Sequence, residues 1–491
     1  MGPEKRAIDM LTLTAVLLPP LLASGLAVLV RPYRRFVGWL GLSCAALSFL
    51  ASSRLCLEAF SGEMRGQRAA GGLWQVDSLS ALLALCIAFV TLLAMAVAPG
   101  LRRSDDADAV QTRRLRIFMS AFAFTMLVAV TVQNAALMWV AIEATTIASA
   151  LAIPLHRTKA SVEASWKYLL LCSVGIALAL TGTILASFTA GETPIGQSWV
   201  ALRSTPLSLH PQLLQLAFAF ILVGYGTKAG LAPMHTWLPD AHSEAPSPIS
   251  AMMSGVLLAV ATYAIARWKA VVDASVDPTF SNALLIGFGL LSVAIGALSL
   301  VIQQHYKRML AYSSVEHIGL VTIGLALGPL GAFAAWLHVI NHAVAKSAGF
   351  LLAGRILYRY RTTEIASVSG LLHVMPWTGG LFATAVLALV GLPPFGLFVS
   401  EFLLVQAAVA NHKMWLAAIV LLLLLIAFIS LMGHLNRMLY GPAPDDVPTG
   451  ERASWPILVL IVPVAILVLL GVALPKPFSA FIHDSVASLL Q

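Results

Sequence analysis

Long, nearly unbroken apolar stretches dominate this chain, and the polar positions between them come in short bursts rich in arginine, glycine and proline. A membrane-spanning helix needs about 20 predominantly apolar residues. The pattern predicts about fourteen such helices, roughly at 8–30, 36–57, 78–98, 115–132, 134–153, 167–189, 212–237, 247–268, 280–302, 308–327, 329–358, 380–405, 413–440 and 456–474. Only Gln133-Asn134 separates the fourth from the fifth. No small-residue cleavage site follows the first apolar run, so Ile8–Val30 is read as a retained span. The expected fold is all-α and polytopic. No connection is long enough for a soluble domain, and the tail after Pro475 is too short for a long lateral helix.

Two spans break the apolar rhythm. The seventh contains Gly226-Thr-Lys-Ala-Gly-Leu-Ala-Pro-Met-His-Thr-Trp-Leu-Pro-Asp240, which places Lys228 beside Gly230 and Pro233. Backbone in hydrocarbon must satisfy its own N–H and C=O groups, so a broken helix is tolerated only where it meets protein or lines a water-filled cavity. A lysine at that depth costs roughly 2.5–3.5 kcal/mol even on lenient insertion scales, which makes it a functional candidate by default. The twelfth span breaks at Gly391-Leu-Pro-Pro-Phe-Gly396, and Glu401 follows. The breaks correspond if spans 4–8 and 9–13 are two inverted five-helix repeats. The expected division is 1–114 (helices 1–3), 115–270 (first repeat), 271–440 (second repeat) and 441–491 (helix 14 and a short tail). Paired Gly/Pro interruptions in two halves are a sequence pointer to a transporter's ion site; the plainer alternative is a pair of proline kinks with no role.

Composition agrees with the pattern: of 491 residues 59% are hydrophobic and 11% charged, against about 25% charged in soluble domains. The net charge of +8 is a topology signal and a poor argument for nucleic-acid binding. Of the 30 lysines and arginines, eighteen fall in one set of alternate loops, from Arg31 to Arg452, and ten in the other set with both tails. The richer set should face the cytoplasm, leaving both termini periplasmic in a bacterial inner membrane. Cys44, Cys56, Cys86 and Cys172 form no C-x-x-C pair, and no P-loop or dinucleotide-binding motif occurs in a strand–helix setting. The chain is expected to hold no redox cofactor, nucleotide or metal, and to have no redox or hydrolytic site of its own.

The buried ionisable residues carry the candidate chemistry. Glu143 lies mid-span in Trp139-Val-Ala-Ile-Glu-Ala-Thr-Thr. Burial pushes a carboxylate toward its neutral form and a nearby lysine pulls it back, so Glu143 and Lys228 form a candidate switchable pair. At about 4 Å and an effective dielectric of 20 their attraction would be roughly 4 kcal/mol, and at twice that distance about half, still more than one pKa unit of about 1.4 kcal/mol. The alternative is a static ion pair locking two helices. His338, His342 and Lys346 recur at i, i+4 and i+8, on one helix face at intervals of about 6 Å. Two imidazoles and an amine along a span suit a proton relay; the bland reading is polar residues in a packed interface. Metal binding there lacks an evident carboxylate ligand. Glu401 is a candidate terminal acceptor. Glu316 and His317 are weaker and are expected near a membrane face. Lys307 and Arg308 are either functional or positive-inside anchors. His235, Asp240, His242 and Glu244 lie past the first break, expected at a cytoplasmic mouth, where they either feed protons inward or solvate a loop.

Six stretches, Trp139–Glu143, Lys228–Asp240, Pro246–Gly255, Lys307–Gly319, His338–Gly354 and Gly391–Phe402, together resemble the antiporter-like subunits of respiratory complex I, Mrp-type Na⁺/H⁺ antiporters and membrane-bound hydrogenases. The segment from Glu163 to Leu178 looks most like the component F type of hydrogenase-4. Glu401 resembles the medial, fourteen-span type of subunit; the distal type carries a lysine there and a long lateral helix. The resemblance implies two inverted five-helix repeats, each with a broken helix. It implies Glu143 and Lys228 as a coupling pair, Lys346 and its histidines as the central relay, and Glu401 as the far residue. It also implies other membrane subunits and a soluble redox arm as partners. One departure stands out: some family members carry an additional lysine in the eighth span, whereas Ile249–Arg267 has none inside. The link between the two halves must then use Tyr263, Thr262, histidines elsewhere, or water.

The leading expectation is a proton-translocating subunit of a redox-driven complex, hydrogenase-4-like or complex I-like. Alternatives are a subunit of a Na⁺/H⁺ antiporter, a membrane partner of an inorganic-carbon uptake system, and an inert spacer. Four buried ionisable residues, Glu143, Lys228, Lys346 and Glu401, argue against the spacer.

Overall fold

A computed structural model describes residues 10–60, 68–69, 73–101, 108–189, 198–204, 210–451 and 454–490. Ile8 of the first expected span, and Lys5, Arg6, Arg65, Arg102, Arg103 and Arg452 of the charge count, lie outside them. Three helices come first: α1 (Met10–Leu29), α2 (Arg35–Phe60) and α3 (Ser78–Val97). A two-residue antiparallel ribbon, β1 (Arg68–Ala69) with β2 (Trp74–Gln75), precedes α3. The next group is α4 (Ala109–Thr131), α5 (Ala135–Ala152), α6 (Lys159–Thr189), the short α7 (Trp199–Ser204), a broken span made of α8 (Pro211–Ala229) and α9 (Trp237–Glu244), and then α10 (Ser247–Met252) with α11 (Leu258–Asp273). The third group is α12 (Thr279–Val301), α13 (Tyr306–Leu325), α14 (Gly328–Tyr360), the short α15 (Leu371–Val374), a second broken span made of α16 (Pro376–Leu389) and α17 (Gly396–Ala410), and α18 (Met414–Leu439). The chain closes with α19 (Trp455–Val472) and α20 (Lys476–Leu490).

Eleven of these spans are long and apolar enough to cross a membrane. With α13, α14 and the divided α16–α17, the crossings among the described residues reach the expected fourteen. Both breaks fall where the sequence places them. The separation of α4 from α5 has a local cause: Asn134 Oδ1 accepts from the amides of Ala136 (2.8 Å) and Leu137 (3.1 Å), capping α5. Gln133 is meanwhile drawn sideways, its amide donating to Leu73 and its carbonyl accepting from Trp199.

Helices in lipid gain little from burying apolar surface against one another and rely on close packing and internal hydrogen bonds. Small residues provide the closeness where α8 crosses α6: a Cβ on Gly224 would stand 2.5 Å from the Ala179 amide nitrogen. Some expected loop residues have structural work. Arg116, 2% exposed, sits inside α4 and donates to Met95 O (3.0 Å), Ala98 O and Pro99 O (both 2.9 Å), closing the C-terminal end of α3. Lys159, Glu163 and Lys167 belong to the first turns of α6, which begins earlier than the hydropathy suggests. The tail after Pro475 forms α20, whose His483 ring stacks on Phe333 of α14 at 4.3 Å.

The most deeply buried layer runs through α10, α11, α13 and α14. A single turn of π-helix, Met253–Leu257, joins α10 to α11 in the middle of the eighth span. Every residue of that turn is buried, and π-turns often accompany functional sites.

Candidate functional site

The first break follows from local chemistry. Gly230 takes φ +79° and ends α8, its amide donating back to Thr227 O. Lys228 lies in the last helical turn, where the helix dipole favours a cation. It is fully buried and donates to Thr146 Oγ1 (2.8 Å) and Tyr168 OH (2.6 Å). Thr146 in turn donates to Glu143 Oε2 (3.1 Å), and Ser173 donates to Glu143 Oε1 (3.1 Å). The two charges are not in direct contact: one threonine hydroxyl stands between the ammonium and the carboxylate, which corresponds to the longer of the two separations considered for the pair. On helix α5 a residue three places after Glu143 shares its face, so Thr146 fills the gap that Lys228 does not reach across. Tyr168 OH continues to Ser149 Oγ (2.7 Å), and its ring packs on Trp237 at 4.7 Å. Glu143 itself is half-buried.

The second break brings together residues from three helices. His338 and His342 of α14 face His317 of α13, with ring centroids 5.0 and 5.3 Å from it. His317 Nδ1 and His338 Nε2 are 2.9 Å apart, and His338 Nδ1 lies 2.9 Å from Ser400 Oγ. Ser400 donates its proton to Leu397 O (2.8 Å), so it accepts from His338 Nδ1–H. That fixes the neutral tautomer of His338 and makes His317 Nδ1 the donor in the pair. Glu401, five residues into α17, folds back onto Gly391 at the break. Donor atoms of His317, His338 and Glu401 lie within 4.8 Å of one another. The carboxylate that the metal reading lacked is thus supplied by a separate helix. The set can hold a proton or a small cation, with the His317–His338 hydrogen bond standing in the way of both nitrogens ligating one metal. Lys346 is fully buried and donates to Leu310 O (2.7 Å) and to Ser313 Oγ.

Glu316 and His317 are placed otherwise than expected. They are 2% and 1% exposed in the middle of α13, not near a membrane face, because α13 starts at Tyr306 and ten residues of helix carry Glu316 about 15 Å inward. Glu316 lies within electrostatic reach of Lys346. Lys307 is also buried: its Nζ donates to Ser243 O (2.6 Å) and Ala245 O (2.8 Å), holding the C-terminal end of α9. Arg308 pairs with Asp240 Oδ1 (2.6 Å), whose Oδ2 is 3.4 Å from Lys167. These contacts give Lys307 and Arg308 a grip on the half-helix beyond the first break. His235 packs near Tyr312 (6.2 Å), and His242 is fully buried between Trp237 and Phe350. Tyr263 and Thr262 do not bridge the halves. Tyr263 OH meets Ser80 Oγ (3.1 Å) and Val130 O (3.3 Å) beside the Asp77–Arg267 ion pair, and Thr262 donates to Leu258 O of its own helix.

Sequence reasoning missed the hydroxyls: Thr146, Tyr168, Ser173, Ser313 and Ser400. Thr146 and Ser400 had a usable signal, since each lies within one turn of a carboxylate inside an apolar span. The others join elements far apart in sequence.

A bundle of fourteen crossings with two interrupted spans, each interruption flanked by a buried ionisable residue, defines an ion-pathway membrane subunit. The chain belongs to the NADH:quinone oxidoreductase/Mrp antiporter transmembrane family, whose pattern matches residues 132–427. It is 38% identical over 444 residues to a hydrogenase-4 component F homolog of Methylacidiphilum infernorum, covering 88% of this chain and 91% of that one. A chain of respiratory complex I from Thermus thermophilus superposes with TM-score 0.82 at 26% identity, covering 98% of this chain and 100% of that one. A chain of an archaeal membrane-bound sulfane sulfur reductase superposes with TM-score 0.88 at 24% identity over 98% of both chains, which speaks for the fold.

Proposed function

We propose that this chain translocates protons as a membrane subunit of a redox-driven complex of the hydrogenase-4 type. One observation carries the reading: buried ionisable residues gather at both helix breaks and are linked to neighbours by hydrogen bonds that can pass a proton. At the first break the Lys228 ammonium, Thr146 and the Glu143 carboxylate form one chain of bonds. At the second, His338, His317 and Glu401 cluster beside α14, which also carries Lys346. Glu143 and Lys228 act as the input pair, with a charge change at Glu143 altering how firmly Lys228 holds its proton. Lys346, His342, His338 and His317 form the central relay, and Glu401 is the far residue. His235, Asp240, Glu316 and Lys307 are accessory.

Moving one charge against 100 mV costs about 2.3 kcal/mol. The energy then comes from partners: other membrane subunits and a soluble redox arm. The 38% identity to a hydrogenase-4 component F homolog over 88% of this chain favours a hydrogenase-4 assembly. The chain would lie in a bacterial inner membrane with both termini periplasmic, since the basic loops Arg31–Arg35 and Arg157–Lys167 fall on the opposite side from the ends.

The test is proton uptake into inverted vesicles carrying the native complex, energised by its electron donor. Lys228→Ala at equal assembly is expected to cut uptake at least tenfold. Unchanged uptake would make the broken span a packing device and favour the spacer.

A further inference from the structure

Resting on the proton-relay reading, we propose that α19 and the connection leading into it brace the second broken span at both ends, with Glu451 and Gly471 as positioning residues for the Glu401–histidine cluster. Both residues lie beyond the stretch 132–427 that the family pattern covers. Helix α19 packs on α14, α16 and α17, the helices that frame the second break. Its start is fixed to α3, where Trp455 Nε1 donates to Ala96 O (3.1 Å).

The end of α16 away from the break is held by a carboxylate. No side chain of its own caps this helix: Met375 stands at the N-cap without a side-chain bond, and Pro376 follows. Glu451 supplies the cap from 73 residues away, Oε1 accepting from the Thr378 amide (2.8 Å) and Oε2 from Thr378 Oγ1 (2.9 Å). That amide is the third of the helix, one that a capping side chain ordinarily satisfies, and a negative charge there suits the helix dipole. Glu451 Oε2 also accepts from Arg355 of α14 (2.9 Å), whose Nε donates to Thr378 Oγ1 (3.1 Å). With side chains 12% and 13% exposed, this pair escapes much of the screening that weakens surface ion pairs. Gly450 adds two backbone ties, its amide donating to Val374 O (2.8 Å) and its carbonyl accepting from Arg359. One carboxylate thus joins α16 to α14, the helix that carries His338, His342 and Lys346.

The end of α16 at the break is held by close backbone approach. Gly471, in the last turn of α19, lies against the turn between α16 and α17, where a Cβ would overlap Pro394 O and the Phe395 carbonyl carbon. The same turn meets α14: a Cβ on Gly396 would overlap the side-chain amide of Asn341, which lies between His338 and His342 in the chain. The turn is therefore fitted to α14 and to α19 with no room for a methyl group at either contact. Gly391, onto which Glu401 folds back, opens this turn, and Leu389, the last residue of α16, has its carbonyl beside His317.

Between its two ends α16 is 14 residues of continuous helix, about 21 Å, and Trp455 to Gly471 of α19 runs about 25 Å alongside. Two rods pinned to each other at both ends move together. Bonds such as His317–His338 work over donor–acceptor distances of about 2.7–3.2 Å, so a shift of about 1 Å at the break takes Glu401 and the ring nitrogens out of register. Glu451 and Gly471 touch none of these groups and act through α16 and the turn that follows it.

The experiment measures proton uptake per assembled native complex in inverted vesicles energised by the electron donor, with thermal stability recorded alongside. Gly471→Val drives a branched side chain into the Pro394 carbonyl and is expected to cut uptake at least tenfold; Gly471→Ala should cut it about fourfold. Glu451→Ala removes both the cap and the tie to Arg355 and should cost about fivefold. Glu451→Gln keeps an oxygen for the Thr378 amide and should restore uptake to about half that of wild type. Adding Gly391→Ala to Gly471→Val should lower uptake less than a further twofold, because Glu401 has already left its place. Losses that multiply in the double variant, with thermal stability falling in step, would reduce the brace to a stability element and overturn it. Uptake within twofold of wild type in either Gly471→Val or Glu451→Ala, with Lys228→Ala at least tenfold down, overturns the brace and leaves the relay standing. Unchanged uptake in all of them, Lys228→Ala included, overturns the relay and the brace with it. If Gly471→Val prevents assembly, Gly471→Ala decides in its place by the same twofold limit.

Discussion

The two broken spans share an architecture and differ in how they treat their ionisable residue. At the first, Lys228 ends the longer half-helix and its ammonium meets two hydroxyls that are themselves bonded onward. At the second, Glu401 lies in the second turn of its half-helix, and Glu401 Oε1, His317 Nε2, His342 Nε2 and Asn341 Oδ1 are all buried without a protein partner. A charge in a low-dielectric interior is costly unless paired and hydrogen-bonded. The first break meets that demand with side chains, so its proton state is tied to the Glu143 carboxylate. The second leaves these polar atoms without side-chain partners, and buried polar atoms of that kind are commonly met by ordered water. Under the proposed function, the first site senses charge and the second conducts it.

The comparison is broken most strongly at the glycines that open each gap. Gly391 has φ +66° and Gly230 φ +79°, so alanine at either is strained by roughly 1–2 kcal/mol. Their neighbours differ. A Cβ at Gly391 would lie 2.0 Å from Glu401 Oε2, whereas one at Gly230 would meet the end of the Leu238 side chain at 2.3 Å. Leucine can turn aside; the carboxylate has to leave its place among the histidines. Gly391→Ala is expected to cut proton uptake by the native complex about tenfold, and Gly230→Ala about twofold, at similar thermal stability. Equal losses would mean that backbone strain, and not the displacement of Glu401, is the cause.

A middle-sized effect is expected at Thr146. Thr146→Val keeps the shape and removes the hydroxyl that links Lys228 to Glu143. Leaving a buried donor without its partner costs about 1–3 kcal/mol, so the ammonium form of Lys228 is weakened and its tie to Glu143 is cut. Uptake should fall several-fold, and a further Glu143→Gln substitution should then add little. If Glu143→Gln has its full effect in the Thr146→Val background, the two residues communicate by another route.

How much of this was legible in the sequence depends on the range of the interaction. The spans and both breaks follow from runs of apolar residues and from Gly and Pro, all local signals. Lys228, Lys346 and Glu401 stand out because a charge inside an apolar run is rare. Depth is harder: Glu316 and His317 fall inside the expected span 308–327, but only the packing around α13 shows them fully enclosed. α20 escapes a hydropathy reading because only one of its faces is apolar and it is 15 residues long. The convergence of His317, His338 and Glu401 joins three separate helices, and no spacing within one helix announces it. The same holds for Tyr168 and Ser313, which reach their lysines from across the bundle.

The smallest expected effect sharpens the second half of the comparison. Ser400 accepts from His338 Nδ1 and passes its own proton to Leu397 O, which holds His338 with Nε2 facing His317. Ser400→Ala removes the acceptor, and His338 is then free to take either tautomer. A neutral hydrogen bond of this kind is worth about 0.5–1.5 kcal/mol, which sets the scale of the lost tautomer preference. With Nε2 protonated, His338 can no longer accept from His317, and the pair must reorient before each transfer. Proton uptake should fall about twofold, with donor oxidation unchanged in the uncoupled complex. A loss as large as that of Gly391→Ala would instead make Ser400 a member of the relay. No loss at all would mean that water, and not the serine, sets the direction of the His317–His338 bond.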